Sequence, residues 1–554
     1  MSSAVSLEEQ VRELRAMHDA RRPPGVGNEV EYPQGEITIP AHVSAWARER
    51  PGQLALALDD ERYDYAALDE IHQRVAGWMA DHGVRRGDRV AIFLGNSTEF
   101  AIAFLAVLRL GAVHVPVNPM FQPAELAHEL LDAEPTLLVT SPELQPVVEA
   151  CGDRVPAIET LLVGGQGPGT WSEAIAHAPR PGDDGDLDSL AALNYTGGTT
   201  GMPKGCRHSQ RHMLYTAASA ATATQIPHDG SYVALCYLPI FWIAGEDLGL
   251  LLPFVTGGTS ILMRRWDAER AVEAIETERV TLMTGTVENY LELMDRPDLA
   301  QRDLSSLQDP QAVSFVRKMT PEVRHRWAEL VPGSVLRESA YGMTETHTID
   351  AVPYGLAEDD FDLLAEPVFC GIPVPGTDVA VVEFGTQNPL PLGEVGEIIV
   401  RSPSVTDGYW RNEEATAEQL VDGWIHTGDN GRIDADGFLH YLGRRKEMIK
   451  VNGMSVFPAD VEMLLAQHPA VESVAVVPTD DAGTGQRPVA FVVPRAGEDV
   501  AAEDLVAWAR DNMAPYKVPL VRVLSDLPMT ATGKVRKHEL ADEAAELNAA
   551  ASAS

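Results

Sequence analysis

Between residues 195 and 205 the chain reads YTGGTTGMPKG, with three threonines, four glycines and one lysine in eleven positions. A run of this kind can hold a polyphosphate. Gly197, Gly198 and Gly201 let backbone N–H groups turn toward an anion with no Cβ in the way. Thr196, Thr199 and Thr200 add hydroxyl donors, and Lys204 adds a point charge. The spacing is not that of the Walker A loop, G-x-x-x-x-G-K-[ST]. Met202 and Pro203 separate Gly201 from Lys204, and Gly205 stands where Ser or Thr is required. Alone, such a loop is as often a turn as a site, and its meaning depends on its company downstream.

The elements that must position this loop follow a βαβ grammar. An apolar strand at 89–96 (RVAIFLGN) leads into a helical stretch at 99–110, then strands at 112–119 (AVHVPVNP) and 135–140 (PTLLVT). The turn-rich segments 164–169 (GGQGPG) and 179–186 read as surface loops, the first too glycine-dense and without the following helix of a dinucleotide fingerprint. After Gly371 the chain becomes β-rich and glycine-punctuated, as a small barrel or distorted sheet would be. After Gly443 it mixes charge, short strands and helices like a small α+β domain, and the Ala-rich end from about Glu543 reads as frayed. A length of 554 residues exceeds one core and implies two to four domains.

Composition narrows the partners. With 45% hydrophobic and 23% charged residues the chain is an ordinary globular enzyme in make-up, and no apolar run approaches a bilayer span. The first 22 residues carry Glu8, Glu9 and Asp19 and space Leu7, Val11 and Leu14 helically, so they read as a capping helix rather than a signal peptide, and the protein as cytoplasmic. A net charge of −39 argues against nucleic acid or an anionic membrane. It would repel a nucleotide as well, so isolated Lys and Arg in Gly-rich segments carry more information here than in a basic protein. Cys151, Cys206, Cys236 and Cys370 lack CxxC spacing and read as buried, reduced thiols.

Further motifs stand in order behind the loop: YGMTE at 341–345, HTGD at 426–429, GRRKEMIK at 443–450 and PMTATGKVRK at 528–537. Together with the loop they resemble the adenylate-forming superfamily of acyl-CoA and aryl-CoA synthetases, peptide-synthetase adenylation domains and luciferases, over roughly residues 40 to 540. The fold this resemblance implies is α/β: a large N-terminal domain (1–445) of two α/β subdomains plus a β-barrel, then a small mobile α+β domain (446–554). It implies ATP, Mg²⁺ and, as co-substrate, CoA. In such enzymes a carboxylate attacks the α-phosphorus of ATP, pyrophosphate leaves, and a thiol or amine then takes the acyl group. Two anions must meet, so catalysis depends on neutralising and orienting charge rather than on a protein nucleophile.

Carried onto this chain, the resemblance makes Glu345 the Mg²⁺-binding carboxylate and Thr344 the α-phosphate hydroxyl. Tyr341, followed by Gly342, would flank the adenine, and Asp429 would accept both ribose hydroxyls with Arg444 on the far side. Lys534 would be the catalytic lysine of adenylation. It lies in the second domain, so rotation about a hinge at Lys446 is implied, exchanging Lys534 for a face carrying Lys450 and Gly453, where a small residue would let a pantetheine arm pass.

Two departures concern the acyl end. Where relatives carry a Gly-Gly-Ala-Pro-like turn, this chain has SFVRKM (314–319), which puts bulk and charge in place of glycines. In LPIFWIAGED (238–247) Trp242 stands where a His often follows the Phe. Trp242, Gly245, Thr286 and Phe315 are the acyl-pocket candidates. Glu246 and Asp247 are out of register to pair an amino group, and no carrier domain follows, so a fatty, aryl or alicyclic acid is expected rather than an amino acid. The expected activity is acid–CoA ligation, with an amide ligase passing the acyl group to an amine as the alternative. Monomer or homodimer is expected.

Overall fold

A computed structural model describes residues 6–182, 184–196, 203–314, 317–365, 368–451, 454–481, 484–498, 500–530 and 534–553. Four sheets organise them. One has strand order 159–162, 137–140, 89–93, 113–117, 190–195, 205–209, parallel except for the last pair. A second runs 337–338, 309–313, 282–286, 233–236, 259–262, 54–58, 61–64, parallel except for the last hairpin. This is the expected pair of α/β units, and the strand-rich runs make it so. Their central strands, such as Arg89–Phe93 and Val113–Val117, are buried and read as apolar stretches.

The helix Thr98–Arg109 shows how tightly the layers close. Ser97 Oγ caps it by accepting from Phe100 N at 3.1 Å, and eleven of its twelve residues are buried, Glu99 being part-exposed. A helix that is apolar all round belongs inside a core. Its one buried charge, Arg109, ends the helix among acceptors, with Nη2 donating to Ser44 Oγ at 2.8 Å and Nε to His72 Nε2 at 2.7 Å. Burial first, and Arg109 second, push the His72 pKa down to about 3, which keeps that imidazole an acceptor.

Past Gly371 the expected distorted sheet is found as an antiparallel sheet ordered 351–352, 369–373, 439–444, 424–433, 396–401, 378–382. The N-terminal helix Leu7–Arg21 docks on it, burying Val11 and Leu14, and Arg15 grips Asp378 through both carboxylate oxygens at 2.6 and 2.7 Å. The fourth sheet begins at Ile449 and is built on the long hairpin Val471–Asp481 and Gly485–Pro494.

The expectation of a frayed end is corrected. Residues Ala541–Ala553 form a helix that packs on this hairpin, with Ala544 buried and Asn548 Nδ2 donating to Asp480 O at 2.8 Å. Alanine-rich composition gave no sign of that docking face, because small side chains pack by close approach rather than by a visible apolar stripe. All four cysteines are free and buried. Among the described residues no helix is long and apolar enough to cross a membrane.

Candidate active site

The Gly/Thr-rich loop connects the antiparallel strands Leu190–Tyr195 and Gly205–Ser209 at the edge of the first sheet. Gly197, Gly198, Thr199, Thr200 and Gly201 lie outside the described residues. Both stems are held: Thr196 N donates to Lys204 O at 3.0 Å, and Lys204 N to Thr196 Oγ1 at 3.3 Å. The lysine is thereby aimed. Its Nζ sits 4.0 Å above the Tyr409 ring, close enough for a cation–π attraction.

Tyr409 then joins the loop to YGMTE. Its hydroxyl donates to Glu345 Oε1 at 2.8 Å, and the Glu345 backbone O accepts from Thr406 N at 2.7 Å. Sequence reasoning missed both residues. The signal available was the aromatic pair after Gly408 in TDGYW, whose Cys206–Tyr409 bridge to the loop's own strand only the fold reveals.

The YGMTE segment is a tight turn. Tyr341 N donates to Ala351 O at 2.9 Å, a 3₁₀ turn covers Thr344–Thr346, and the chain returns through His347 and Thr348 at φ +57° and +80°. Left-handed backbone at the β-branched Thr348 is strained, and strain of this kind gathers at functional sites. Gly342 is required by this turn, since a Cβ there would lie 1.2 Å from Thr348 O. The Thr344 carbonyl accepts from His208 Nε2 at 2.8 Å, and burial holds the His208 pKa well below the usual imidazole value, so this neutral ring donates from Nε2.

Asp429 and Arg444 are directly opposed on the neighbouring strands Trp424–Ile433 and Leu439–Arg444. Arg444 Nε lies 2.9 Å from Asp429 Oδ1, and the Tyr341 hydroxyl donates to Oδ2 at 2.8 Å. Asp429 is buried, and burial raises its pKa to about 6 against the opposing pull of Arg444. Its Oδ1 has a charge contact but no well-directed hydrogen bond, a buried acceptor with capacity left for a hydroxyl donor.

Lys534 joins this group from the far end of the chain. Its ammonium is surrounded closely enough to be lowered in pKa, first by desolvation, then by the charge of Arg444, with Asp429 and Glu447 acting in the opposite sense. Its side chain nonetheless reaches solvent, as does that of Arg444. Protein mass on all sides with an open path to water describes a cleft. Lys450 lies on the strand Ile449–Val451, exposed, with its N donating to Gln486 Oε1 at 2.8 Å. Gly453 and Phe315 fall outside the described residues.

Behind the turn, facing inward, is a second set of ionisable groups that sequence reasoning set aside. Asp247 Oδ1 is 3.0 Å from His347 Nδ1, and Glu246 Oε2 is 3.3 Å from His114 Nε2, all of them buried. Burial raises Asp247 to about 6. Burial alone would lower His347, but Asp247 and Glu246 outweigh it and raise the imidazole.

A small cavity of about 20 Å³, room for one water molecule, lies beside Ala340, the residue before Tyr341. Ile226, Leu248, Leu252 and Ile349 wall it, with Gln311 and Arg337 as polar members. None of the other acyl candidates lines it. Trp242 is half-buried and packs edge-on against Phe241; Gly245 is a glycine because a Cβ would meet Pro239 O at 2.0 Å; and Thr286 caps the helix Val287–Met294, accepting from Asn289 N at 3.4 Å.

These motifs and this fold find their match among known proteins. Residues 43–410 match the family model of the AMP-binding enzymes, and residues 460–534 that of the AMP-binding enzyme C-terminal domain. The chain therefore belongs to the AMP-binding enzyme family, in the acyl-CoA synthetase branch of the adenylate-forming superfamily. It is 33% identical over 499 residues to a feruloyl-CoA synthase of Amycolatopsis sp, covering 89% of this chain and 96% of that one. It is 28% identical over 553 residues to a long-chain-fatty-acid–CoA ligase of Bacillus subtilis, with 93% and 96% covered.

Two solved structures extend the likeness. The anthranilate CoA ligase AuaEII in complex with anthranoyl-AMP superposes with a TM-score of 0.82 at 25% identity over 93% of this chain and 98% of that one. The amide bond synthetase McbA from Marinactinospora thermotolerans superposes with a TM-score of 0.80 at 28% identity over 91% and 99%. The class is thus that of ATP-dependent, AMP-forming acid–CoA ligases.

Proposed function

We propose that the acid has an apolar body and lacks an α-amino group, that it is activated as its acyl-AMP, and that CoA is the acceptor. The observation that carries the choice of acid is the similarity to ligases named for ferulate and for long-chain fatty acids, and the aliphatic lining of the small cavity beside Ala340 agrees with it. The cavity's one cation, Arg337, is paired bidentately to Asp309 at 2.7 and 2.8 Å. No carboxylate lines it, so an ammonium group would be buried there without a partner. Glu246 and Asp247, the acidic residues next to Leu248, face His114 and His347 instead. The similarity to ligases named for ferulate and for long-chain fatty acids supports an aryl or fatty acid.

The residues take the following roles in this reading. Asp429 and Arg444 hold the ribose hydroxyls, Tyr341 lies against the adenine, and the 196–204 loop with Thr344 cradles the phosphates. Glu345 suits Mg²⁺, since it offers a hard oxygen steadied by Tyr409, and one protein carboxylate with phosphate oxygens is a common Mg²⁺ arrangement. Mg²⁺ when bound neutralises phosphate charge there. Lys534 orients the acid's carboxylate toward the α-phosphorus and offsets the charge that builds as the new P–O bond forms and the bond to pyrophosphate breaks. The segment from residue 446 onward then rotates as a domain about Lys446, bringing the Lys450–Gly453 face to the cleft. The CoA thiol attacks the acyl carbonyl, its proton passes to solvent, and AMP leaves. A soluble monomer or homodimer in the cytoplasm fits this reading.

The likeness to McbA supports the second reading, transfer to an amine. One experiment separates them: mass spectrometry of products from the purified protein with ATP, Mg²⁺ and a panel of fatty, aryl and alicyclic acids, CoA and amino acids being offered together. Acyl-CoA as the main product is expected. Amides with little CoA-dependent turnover would replace the proposal by the second reading.

A further inference from the structure

The segment 314–319 departs from the glycine-rich turn expected at its place, and its described residues are firmly anchored on one side. Ser314 donates to Glu338 twice, from N to Oε1 at 2.9 Å and from Oγ to Oε2 at 2.6 Å. Met319 N donates back to Ser314 Oγ at 3.0 Å, and Arg317 N donates to Glu288 Oε1 at 3.1 Å. Glu338 lies three residues before Tyr341, so the loop is tied to the strand that leads into the nucleotide site.

The other side of this loop presents two cations to a different part of the chain. The Arg317 guanidinium pairs with Glu472 on the strand Val471–Asp481, both side chains 29% exposed. Lys318, whose Nζ also donates to Ser314 O at 3.0 Å, is near enough for its charge to act on Glu462 in the helix Pro458–Ala466. Glu462 is held further by Lys537 Nζ at 2.8 Å, and Lys537 contacts Glu447 at 3.4 Å. Arg317 and Lys318 fall in the portion matched by the AMP-binding model, and Glu462, Glu472 and Lys534 in the portion matched by its C-terminal model. The contacts therefore cross between the two, in the arrangement that brings Lys534 toward Arg444 and Asp429. In a chain with 82 acidic and 43 basic residues, two adjacent cations facing carboxylates of the other portion are a selective use of scarce positive charge.

We propose that Arg317 is a positioning residue for adenylation, which holds the C-terminal portion by ion pairing to Glu472, the neighbouring charge of Lys318 adding attraction toward Glu462, so that Lys534 is presented to the cleft. The proposal rests on the two-conformation reading given above. Glycines at these positions would make no such contact. The Arg317–Glu472 pair is half-buried and so only partly screened, and it must break before the Lys450 face can enter, so it favours the first half-reaction over the second.

The test uses the full-length enzyme with ferulate and laurate as probe acids. It measures acyl-AMP formation by ATP–pyrophosphate exchange, and thioester formation from supplied acyl-AMP and CoA. Arg317→Glu is expected to lower exchange by roughly three- to tenfold, the scale of a partly exposed ion pair turned into a repulsion. Thioester formation from supplied acyl-AMP is expected to hold or rise. Adding Glu472→Arg in the same chain should restore exchange, and the loss should shrink as salt is raised. Equal loss of both half-reactions, or no restoration by the reversed pair, would overturn the proposal. Lys534→Ala serves as the control. If it lowers both half-reactions equally, the two-conformation reading fails; if it is selective while Arg317→Glu is silent, the positioning role alone fails.

Discussion

The turn at 342–348 has ionisable residues on both of its sides, and the protein treats the two sets oppositely. Toward the cleft stand Glu345, Asp429, Arg444 and Lys534, the two carboxylates buried but Arg444 47% exposed and Lys534 open to solvent. Toward the core stand Glu246, Asp247, His114 and His347, each at most 2% exposed in its side chain. Both sets contain carboxylates beside cationic groups. The difference shows what makes a charge available for chemistry: it must adjoin groups whose water a ligand can replace, as Asp429 adjoins Arg444. The inner set can only exchange charge within itself, and it acts by fixing where the turn sits against the segment Phe241 to Asp247. Acidic residue type is thus no guide to role here, and access is.

The comparison can be broken at either set. The largest effect is expected from Asp247→Ala, which leaves buried His347 without the carboxylate that offsets its burial. Removing one member of a buried ion pair costs about 3–5 kcal/mol, to be read as a lowered denaturant midpoint, with ATP binding by the remaining folded enzyme little changed. A loss of ATP affinity without loss of stability would assign the inner set to the cleft after all.

Lys534→Ala comes next. Loss of one electrostatic contact made in the transition state lowers acyl-AMP formation by roughly 10²–10³-fold, with CoA transfer from supplied acyl-AMP largely spared. Stopped-flow detection of pyrophosphate measures the first, and thioester absorbance the second.

Asp429→Asn sharpens the cleft side. Losing charge-assisted bonds to the ribose costs about 1.5–3 kcal/mol, seen as a rise in KM for ATP. It also carries a pH signature. Asp429 is raised from 3.8 to about 6 by burial, with Arg444 and Tyr341 facing it and the charges of Glu345 and Glu447 adding to the rise. A carboxyl raised on folding contributes stability that is full below about 4 and is lost as the pH climbs through about 6. Ribose binding needs the ionised form, so KM for ATP is expected to rise as the pH falls below about 6 in the native enzyme. The Asn variant should lack this dependence.

The smallest effect is expected from Tyr409→Phe. It removes a hydroxyl from Glu345 and from Gln419 while leaving the ring under Lys204. A drop of about 1–2 kcal/mol in transition-state stabilisation is expected, partly offset by higher Mg²⁺. No change at any Mg²⁺ concentration would remove Tyr409 from the site.

Much of the cleft was legible because its chemistry depends on residue type at short spacing. YGMTE and HTGD each place their carboxylate within a local turn or strand, and the backbone at YGMTE is constrained enough to need Gly342. Tyr409 and Thr406 were not legible, because each acts on Glu345 across more than sixty residues of chain and looks locally like any loop residue. The acyl end was least legible. Trp242, Gly245 and Thr286 were expected at the acyl pocket, yet none of them lines the small cavity beside Ala340, whose walls come from residues whose inward or outward direction only packing decides.

By itself, then, the sequence determined the family, the α/β class, the chemistry of adenylate formation and most of the charged residues available for it, since charge type and glycine placement are local properties. The tertiary structure decided which charges meet. It opposed Asp429 to Arg444 across two strands, sealed Asp247 and His347 inside, brought Lys534 to the cleft, and set Arg317 against Glu472. Those choices depend on desolvation and on contacts between residues distant in the chain, and neither exists until the chain is folded.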